Sequence, residues 1–209
     1  MDEIILIGAG GHCRACIDVV ELADQFKIAG IIEKDKTINQ EFFGYPIIGT
    51  DNNLKKLRKK YNYALISVGQ IKSPNIRIKL FNKIFGKLHY SLPVIISPRA
   101  YVSKHARIGE GTIVMHDSIV NANARIGRNC IINNKSLIEH DAIVGDNCHI
   151  STGAIVNGGV KIGKESFLGS GVVTKNLISI GNNCVIGAGE AINSDIESNK
   201  IIKKRKICP

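Results

Sequence analysis

From Val102 onward the chain repeats itself every six residues. The aliphatic series runs Val102, Ile108, Val114, Val120, Ile126, Ile132, Ile138, Val144, Ile150, Val156, Ile162, Leu168, Thr174, Ile180, Ile186 and Ile192. Fifteen of these sixteen positions are Val, Ile or Leu, and the exception, Thr174, is still β-branched. A helix of 3.6 residues per turn cannot hold a six-residue register, so the pattern reads as short strands separated by turns. A small side chain sits two places earlier in nine successive repeats, from Ala106 to Ala154. Gly109, Gly127, Gly145, Gly163 and Gly181 add a second period of 18 residues, which is three hexads. Three strands per coil would close a triangular prism, with residues 18 apart stacked on one another. At about 4.8 Å per coil, five coils would rise roughly 25 Å. The glycine column is expected at one corner, where the backbone takes a positive φ.

Composition fits so narrow a core. Trp is absent, Tyr and Phe total 11, and Gly reaches 21 among 209 residues. Cys130, Cys148 and Cys184 occupy the small-residue position at multiples of 18, with Ser166 between them, so they should form an internal stack rather than a metal site. The net charge of +10 invites a nucleic-acid reading, but its distribution argues against one. Residues 1–99 carry +6, residues 100–199 carry −1, and a short tail from Lys200 through Lys203, Lys204, Arg205 and Lys206 carries +5. No recognition motif or aromatic platform accompanies the charge. Basic residues in the first half could instead meet an anionic small molecule. No apolar run reaches the roughly 18–20 residues of a membrane span, and the N-terminus opens on acids. A cytoplasmic chain is expected.

Residues 1–99 read as a small Rossmann-like α/β domain, residues 100–195 as the repeat, and 196–209 as a basic tail. Glu3–Ile7 is an apolar run ending in Gly8-Ala9-Gly10-Gly11-His12, followed by an amphipathic helix with Ala15, Val19, Leu22 and Ala23 on one face. A second run, Ile28–Ile32, ends at Glu33, which makes a β-α-β unit with a glycine-rich turn. The dinucleotide fingerprint fails at its last glycine, where Cys13 stands. Two readings stay open: a turn that offers N–H groups to a phosphate, which His12 and Glu33 at the same strand-end crevice favour, or a bare structural turn. Tyr63–Val68 is a further strand, ending in Gly69, and Arg77–Phe85 a further helix. Cys13 and Cys16 form a C-x-x-C pair, either redox-active or, as we prefer, packed beneath the helix. Cys208 has no evident role, and nothing suggests disulfides.

Among six histidines, His140 stands out because Glu139 and Asp141 flank it, two places after Ile138 and therefore near a corner. A neighbouring carboxylate orients an imidazole and stabilises its cation, as a general base requires. Spacing alone leaves an ordinary surface histidine as a competing reading. A zinc site from His140 and His149 is disfavoured for want of a third ligand, and no metal is expected.

The set of motifs, Gly8-Ala9-Gly10-Gly11-His12, the hexads, Glu139-His140-Asp141 and Gly145-Asp146-Asn147-Cys148-His149-Ile150, resembles bacterial sugar acetyltransferases of the PglD and NeuD group over residues 2–195. The resemblance implies a left-handed parallel β-helix, although right-handed crossovers are the general rule. It implies acetyl-CoA as cosubstrate and a UDP-linked deoxyamino sugar as acceptor, in surface glycan biosynthesis. His140 is implied as catalytic base, Asp141 as its support, and Asn133 as a polar group near the acceptor. His149 is implied beside the thioester, where it or a backbone N–H would meet the oxyanion. Gly158, Gly169, Ser170, Gly187 and Ala188 would line the coenzyme groove. Gly8, Gly10, Gly11, His12, Glu33, Gly69 and Arg77 would line the nucleotide-sugar crevice. A homotrimer with active sites between prisms is implied as well. The competing readings are O-acetylation of sialic-acid-type sugars and a non-catalytic trimeric partner of a sugar synthase.

Overall fold

A computed structural model of the chain describes residues 1–34, 41–71 and 73–203. It comprises two compact units, Met1–Gly69 with Asn75–Pro98, and Gln70–Pro74 with the chain from Arg99 onward. Lys204, Arg205, Lys206 and Cys208 lie outside the described residues.

In the first unit β1 (Asp2–Ile7), α1 (Gly11–Ala23) and β2 (Phe26–Ile32) form the β-α-β unit that the sequence predicts. Ile4 to Ile7 are all buried, as expected of a central strand covered on both faces. β3 (Glu41–Phe42) and β4 (Tyr45–Gly49) make an antiparallel hairpin at one edge. After α2 (Leu54–Leu57), β5 (Tyr63–Ile66) completes a mixed sheet of order β3-β4-β2-β1-β5. The last helix is α3 (Asn75–Phe81), which runs on as a π-helical turn over Asn82–Lys87. The face that α1 buries differs from the expected one. Cys13, Cys16, Ile17, Val19 and Val20 are buried, while Leu22 is exposed. The i, i+3, i+4, i+7 stripe runs through the two thiols, which pack as small hydrophobes. Burial pushes the Cys13 thiol up to about 11 and that of Cys16 higher still, the opposite of what a reactive thiolate needs.

The second unit is a parallel solenoid. Sixteen two-residue strands, Tyr101–Val102 to Ala191–Ile192, follow one another at the six-residue spacing. Each pairs with the strands 18 residues before and after it, as Ile119–Val120 does with Tyr101–Val102 and Leu137–Ile138. Three sheets result. The first face holds the strands that begin at Tyr101, Ile119, Leu137, Ile155, Val173 and Ala191. The second begins at Arg107, Arg125, Ile143, Lys161 and Ser179, and the third includes Ile113, Ile131, His149, Phe167 and Val185. Ile201–Ile202 pairs with Val185–Ile186 and so carries the third face into the stretch expected as a tail.

The second member of each strand points inward. From Val114 to Ile192 every aliphatic residue of the series is buried, and Thr174 is too. Its hydroxyl accepts the N–H of Asn157 at 3.0 Å, which satisfies the one polar group in the row. The small-residue column also has a hydrogen-bonding role. Thr112 Oγ1, Cys130 Sγ, Cys148 Sγ and Ser166 Oγ each donate to the carbonyl of the glycine fifteen residues on, at 2.8, 3.2, 3.1 and 3.0 Å. Hydroxyl and thiol are therefore interchangeable along it.

The glycine column is needed for a different reason from the one expected. Positive φ falls every six residues at another place, from Gly111, Asp117 and Asn123 through Asp141 and Asn147 to Asn183 and Gly189. Asn, Asp and Gly dominate there because they tolerate the left-handed region best. Gly145 is not among those positions; a Cβ on it would lie 2.6 Å from Lys164 N and 2.9 Å from Lys164 Cα. Coil-on-coil approach, rather than backbone handedness, excludes a side chain at this corner.

Candidate active site

His140 sits at the turn between the first and second faces. Its Nδ1 is 2.8 Å from Asp141 Oδ2, and Asn123 Nδ2 donates to Asp141 Oδ1 at 2.6 Å. Asp141 has φ +61°, in the left-handed region, and this bends its carboxylate back to the neighbouring ring. Glu139 turns the other way, where its Oε2 accepts from Asn121 Nδ2 at 2.8 Å. The two flanking acids therefore divide their work, and only Asp141 contacts the imidazole. That hydrogen bond raises the His140 pKa above its ordinary value, and the Asp141 pKa falls for the same reason. With Nδ1 turned to Asp141, Nε2 faces outward on a side chain 63% exposed.

Gly158 lies one coil beyond His140. A Cβ placed there would be 2.8 Å from His140 Nε2 and 3.3 Å from Asn176 Nδ2. The glycine therefore leaves a small niche floored by backbone, with an imidazole nitrogen on one side and a carboxamide on the other. The turns are laced together: Gly159 N–H donates to His140 O and Leu177 N–H to Gly158 O, both at 3.0 Å.

His149 is in a different setting, pointing outward from the third face yet only 6% exposed. Its Nδ1 is 2.5 Å from the carbonyl of Gln70, and its Nε2 is 3.2 Å from Asn133 Nδ2. A carbonyl can only accept, so Nδ1 carries the proton and Nε2 accepts from Asn133. Asn133 Oδ1 takes the N–H of Asn134 at 2.8 Å, which agrees with that orientation. The ring packs edge-on against Phe167 at 5.2 Å. Its one N–H is thus given to Gln70, so an oxyanion role for His149 does not fit this arrangement. Asn133, Gly169, Ser170, Gly187 and Ala188 belong to the turns between the third and first faces, whereas Gly158 shares the His140 turns. Within one solenoid the coenzyme-groove residues are split between two edges.

In the first unit Gly8 has φ +104°, and a Cβ there would strike Val68 Cγ2 at 2.4 Å. Around Gly10 and Gly11 there is nothing within 4 Å, so packing gives no reason for glycine at either. Glu33 Oε2 accepts the Ala9 N–H at 2.6 Å, which brings the second strand's end against the glycine turn. Gly69 packs on His12, 3.3 Å from its Cβ if a methyl were added. Arg77 departs from expectation. It is 1% exposed, and its Nη1 donates to the carbonyls of Ile66 at 2.9 Å and Val68 at 2.7 Å. It holds the end of β5 from inside and presents no charge to a ligand.

The sequence reading missed Asn121, Asn123, Asn176 and Gln70. Three of these were within reach of the 18-residue rule: Asn121 and Asn123 stack on Glu139 and Asp141, and Asn176 lies two coils from His140. Gln70 carries no such signal. Among the described residues no three His, Cys, Asp or Glu side chains converge as a metal site. No helix among them is long and apolar enough to cross a membrane.

Residues 3–84 match the family model of the PglD N-terminal domain. Residues 105–140 and 141–176 match the bacterial transferase hexapeptide repeat, and 159–194 the hexapeptide repeat of succinyl-transferase. Comparison with curated proteins gave no match. PerB from Caulobacter crescentus, solved with CoA and GDP-perosamine, is 30% identical over 96% of this chain and 93% of its own, with a TM-score of 0.88. The acetyltransferase domain of PglB from Neisseria gonorrhoeae, solved with acetyl coenzyme A, is 29% identical over 95% of this chain and 94% of its own, with a TM-score of 0.87. WeeI from Acinetobacter baumannii, at 20% identity and a TM-score of 0.85, shares the fold over 97% of both chains. A Rossmann-like unit followed by a left-handed parallel β-helix of hexapeptide repeats, alike in sequence and architecture to these proteins over nearly its whole length, belongs to the PglD/NeuD-like family of bacterial sugar acetyltransferases.

Proposed function

We propose that the chain transfers acetyl from acetyl-CoA directly to the amine of a nucleotide-linked deoxyamino sugar. The observation that carries the reading is the His140–Asp141 pair, whose free ring nitrogen opens onto the Gly158 niche. Asp141 holds the ring with Nδ1 protonated, so Nε2 has a lone pair for the amine proton. As the amine nitrogen attacks the thioester carbon, that proton passes to Nε2. The C–S bond then breaks, and the imidazolium returns the proton to the leaving thiolate. The products are an N-acetyl sugar and CoA.

The nucleotide is read as uridine diphosphate, bound at the glycine turn of the first unit. The open space around Gly10 and Gly11 supports a ligand at that turn, since one that approaches the backbone would explain glycine where packing does not. PerB and its GDP-perosamine make guanosine the natural comparison. The test is thiol release from acetyl-CoA over a panel of UDP- and GDP-linked amino sugars and sialic acids. Turnover with a UDP-amino sugar is expected. Turnover with GDP-amino sugars alone would correct the nucleotide, turnover on sialic acid alone would replace N- by O-transfer, and no release at all would favour a binding role.

The active assembly is read as a homotrimer. Along the first face the outward residues are Tyr101, Ile119, Leu137, Ile155, Val173 and Ala191, an unbroken apolar column. Tyr101 is 59% exposed and Ile119 40%. The matching column of the second face begins Arg107 and Arg125 and contains Lys161, so that face does not share the apolar stripe. A patch of this kind marks an interface. Association would also let the two edges that divide the proposed coenzyme residues meet across neighbouring copies. Ile155→Asp is expected to yield monomers by light scattering, with acetyl transfer lost. A trimeric, active Ile155→Asp protein would show that another surface is used.

A further inference from the structure

Asparagines and acids recur at the turns of this solenoid, and some of them cap backbone. Asp146 Oδ1 accepts the N–H of Arg128 at 2.7 Å, and Asn182 Oδ1 that of Lys164 at 3.0 Å. Each lies 18 residues after its donor, so the side chain ties one coil to the one before. Asn176 occupies the equivalent place in its own hexad but behaves differently. Its Nδ2 points into the space over Gly158, 3.3 Å from where a Cβ would stand, and among the described residues none accepts a hydrogen bond from it. The next residue, Leu177, fixes the turn. It takes φ +63°, unusual for a bulky side chain, and is 82% exposed. Its Cδ2 lies over Gly159, 2.5 Å from where a Cβ would stand there. A costly backbone conformation and an exposed apolar side chain together hold the Asn176 turn beside His140.

The niche therefore has two chemically distinct walls. His140 Nε2 is an acceptor, suited to the amine proton. Asn176 Nδ2 is a neutral donor, suited to an oxygen that gains negative charge. We propose that Asn176 is a further catalytic residue of the transfer site, donating its side-chain N–H to the thioester carbonyl oxygen as the amine adds to the carbonyl carbon. This rests on the acetyl-transfer reading above. During the step the C–N bond forms, the carbonyl π electrons move to oxygen and the amine proton goes to His140. When the tetrahedral intermediate collapses, the electrons return and the thiolate leaves. A donor at that oxygen lowers the barrier without itself exchanging a proton.

Asn176→Ala and Asn176→Asp are the informative variants, because the first removes the donor and the second puts an acceptor in nearly the same shape. Both are expected to lower kcat about 10²–10³-fold, the usual effect of losing one oxyanion donor. KM for acetyl-CoA should stay within about threefold in both. In Asn176→Ala the acid limb of the pH–rate profile should not move, since His140 and Asp141 are untouched, whereas the new carboxylate of Asn176→Asp, close to His140 Nε2, should move it to higher pH. Melting temperatures should equal that of the unmodified protein, because the side chain is exposed and ties no coil. A kcat within about threefold of wild type in Asn176→Ala would overturn the proposal. So would a loss in Asn176→Ala accompanied by a lower melting temperature or a shifted acid limb, since either marks a structural role. If the unmodified protein acetylates no amino sugar, the parent reading fails and this one falls with it. If it does and Asn176→Ala keeps pace, this one fails alone.

Discussion

Replacing His140 by alanine is expected to lower kcat/KM by about 10²–10⁴-fold with the solenoid intact. The ring is exposed and contributes no core packing, so its loss should be felt in proton transfer and not in folding. The pH dependence gives the assignment a sharper test. The hydrogen bond from Asp141 raises the His140 pKa, so at low pH the imidazole is already protonated and cannot accept the amine proton. Activity should climb as pH rises through that raised value, and the plateau should lie above it. In Asp141→Asn the largest cause of the shift is gone while Glu139 remains, so the acid limb should move to lower pH and the plateau should fall, because the ring loses its orientation. His140→Ala should lose the limb altogether. Profiles of kcat/KM from pH 5 to 9 for the three proteins would check all of this. An alanine variant near wild-type turnover, or one that keeps the limb, would remove His140 from the base role.

Gly158→Ala is the second large effect. The backbone at Gly158 has an ordinary φ, so alanine brings no conformational penalty there. What its methyl meets is His140 Nε2 at 2.8 Å, His140 Cε1 at 2.9 Å and Asn176 Nδ2 at 3.3 Å. These are tips of exposed side chains, which can swing aside. The fold should survive, in contrast to a methyl on Gly145, which would press on the backbone of Lys164. The site should not survive, because the displaced ring and the filled niche leave no room for an acetyl group. Misplacement of a reacting group by about 1 Å can cost about 10²-fold, and a blocked niche more. Expected together are a melting temperature within about 2 °C of wild type and a kcat reduced about 10²-fold or further. Near-normal activity would mean that acyl transfer takes place elsewhere on the prism.

Much of this architecture was legible because the repeat is strict. Once the aliphatic residues from Val102 to Ile192 are phased, register, coil size and the inward row follow, and the Cys130, Cys148, Ser166 and Cys184 stack follows with them. Errors arose where one residue type serves two physical purposes. Glycine at position 145 suggested a left-handed turn, but the coil above it forbids a Cβ, and the left-handed residues stand elsewhere in the hexad. Cys13 and Cys16 do pack beneath the helix, as preferred, but the expected apolar stripe of Ala15, Val19, Leu22 and Ala23 omits them, which rotates the predicted face of α1. Arg77 was a charge near a crevice in one dimension, yet in three its guanidinium is spent on the carbonyls of Ile66 and Val68. Gln70 was invisible because its backbone carbonyl does the work at His149, and any residue type carries a carbonyl. Asn176 could have been found by counting 36 residues on from His140, a step the periodicity already licensed.

The stacking of coils on only their immediate neighbours also sets where the molecule loosens first. In such a nearly one-dimensional array, opening begins at an end and peels inward, one interface at a time. Strands beginning at Tyr101 and Ile119 precede the coil of His140 on the first face, and strands beginning at Val173 and Ala191 follow that of Gly158. The proposed transfer niche is thus kept from the fraying ends, in the stretch where amide exchange would be slowest, while the terminal coils take up the breathing.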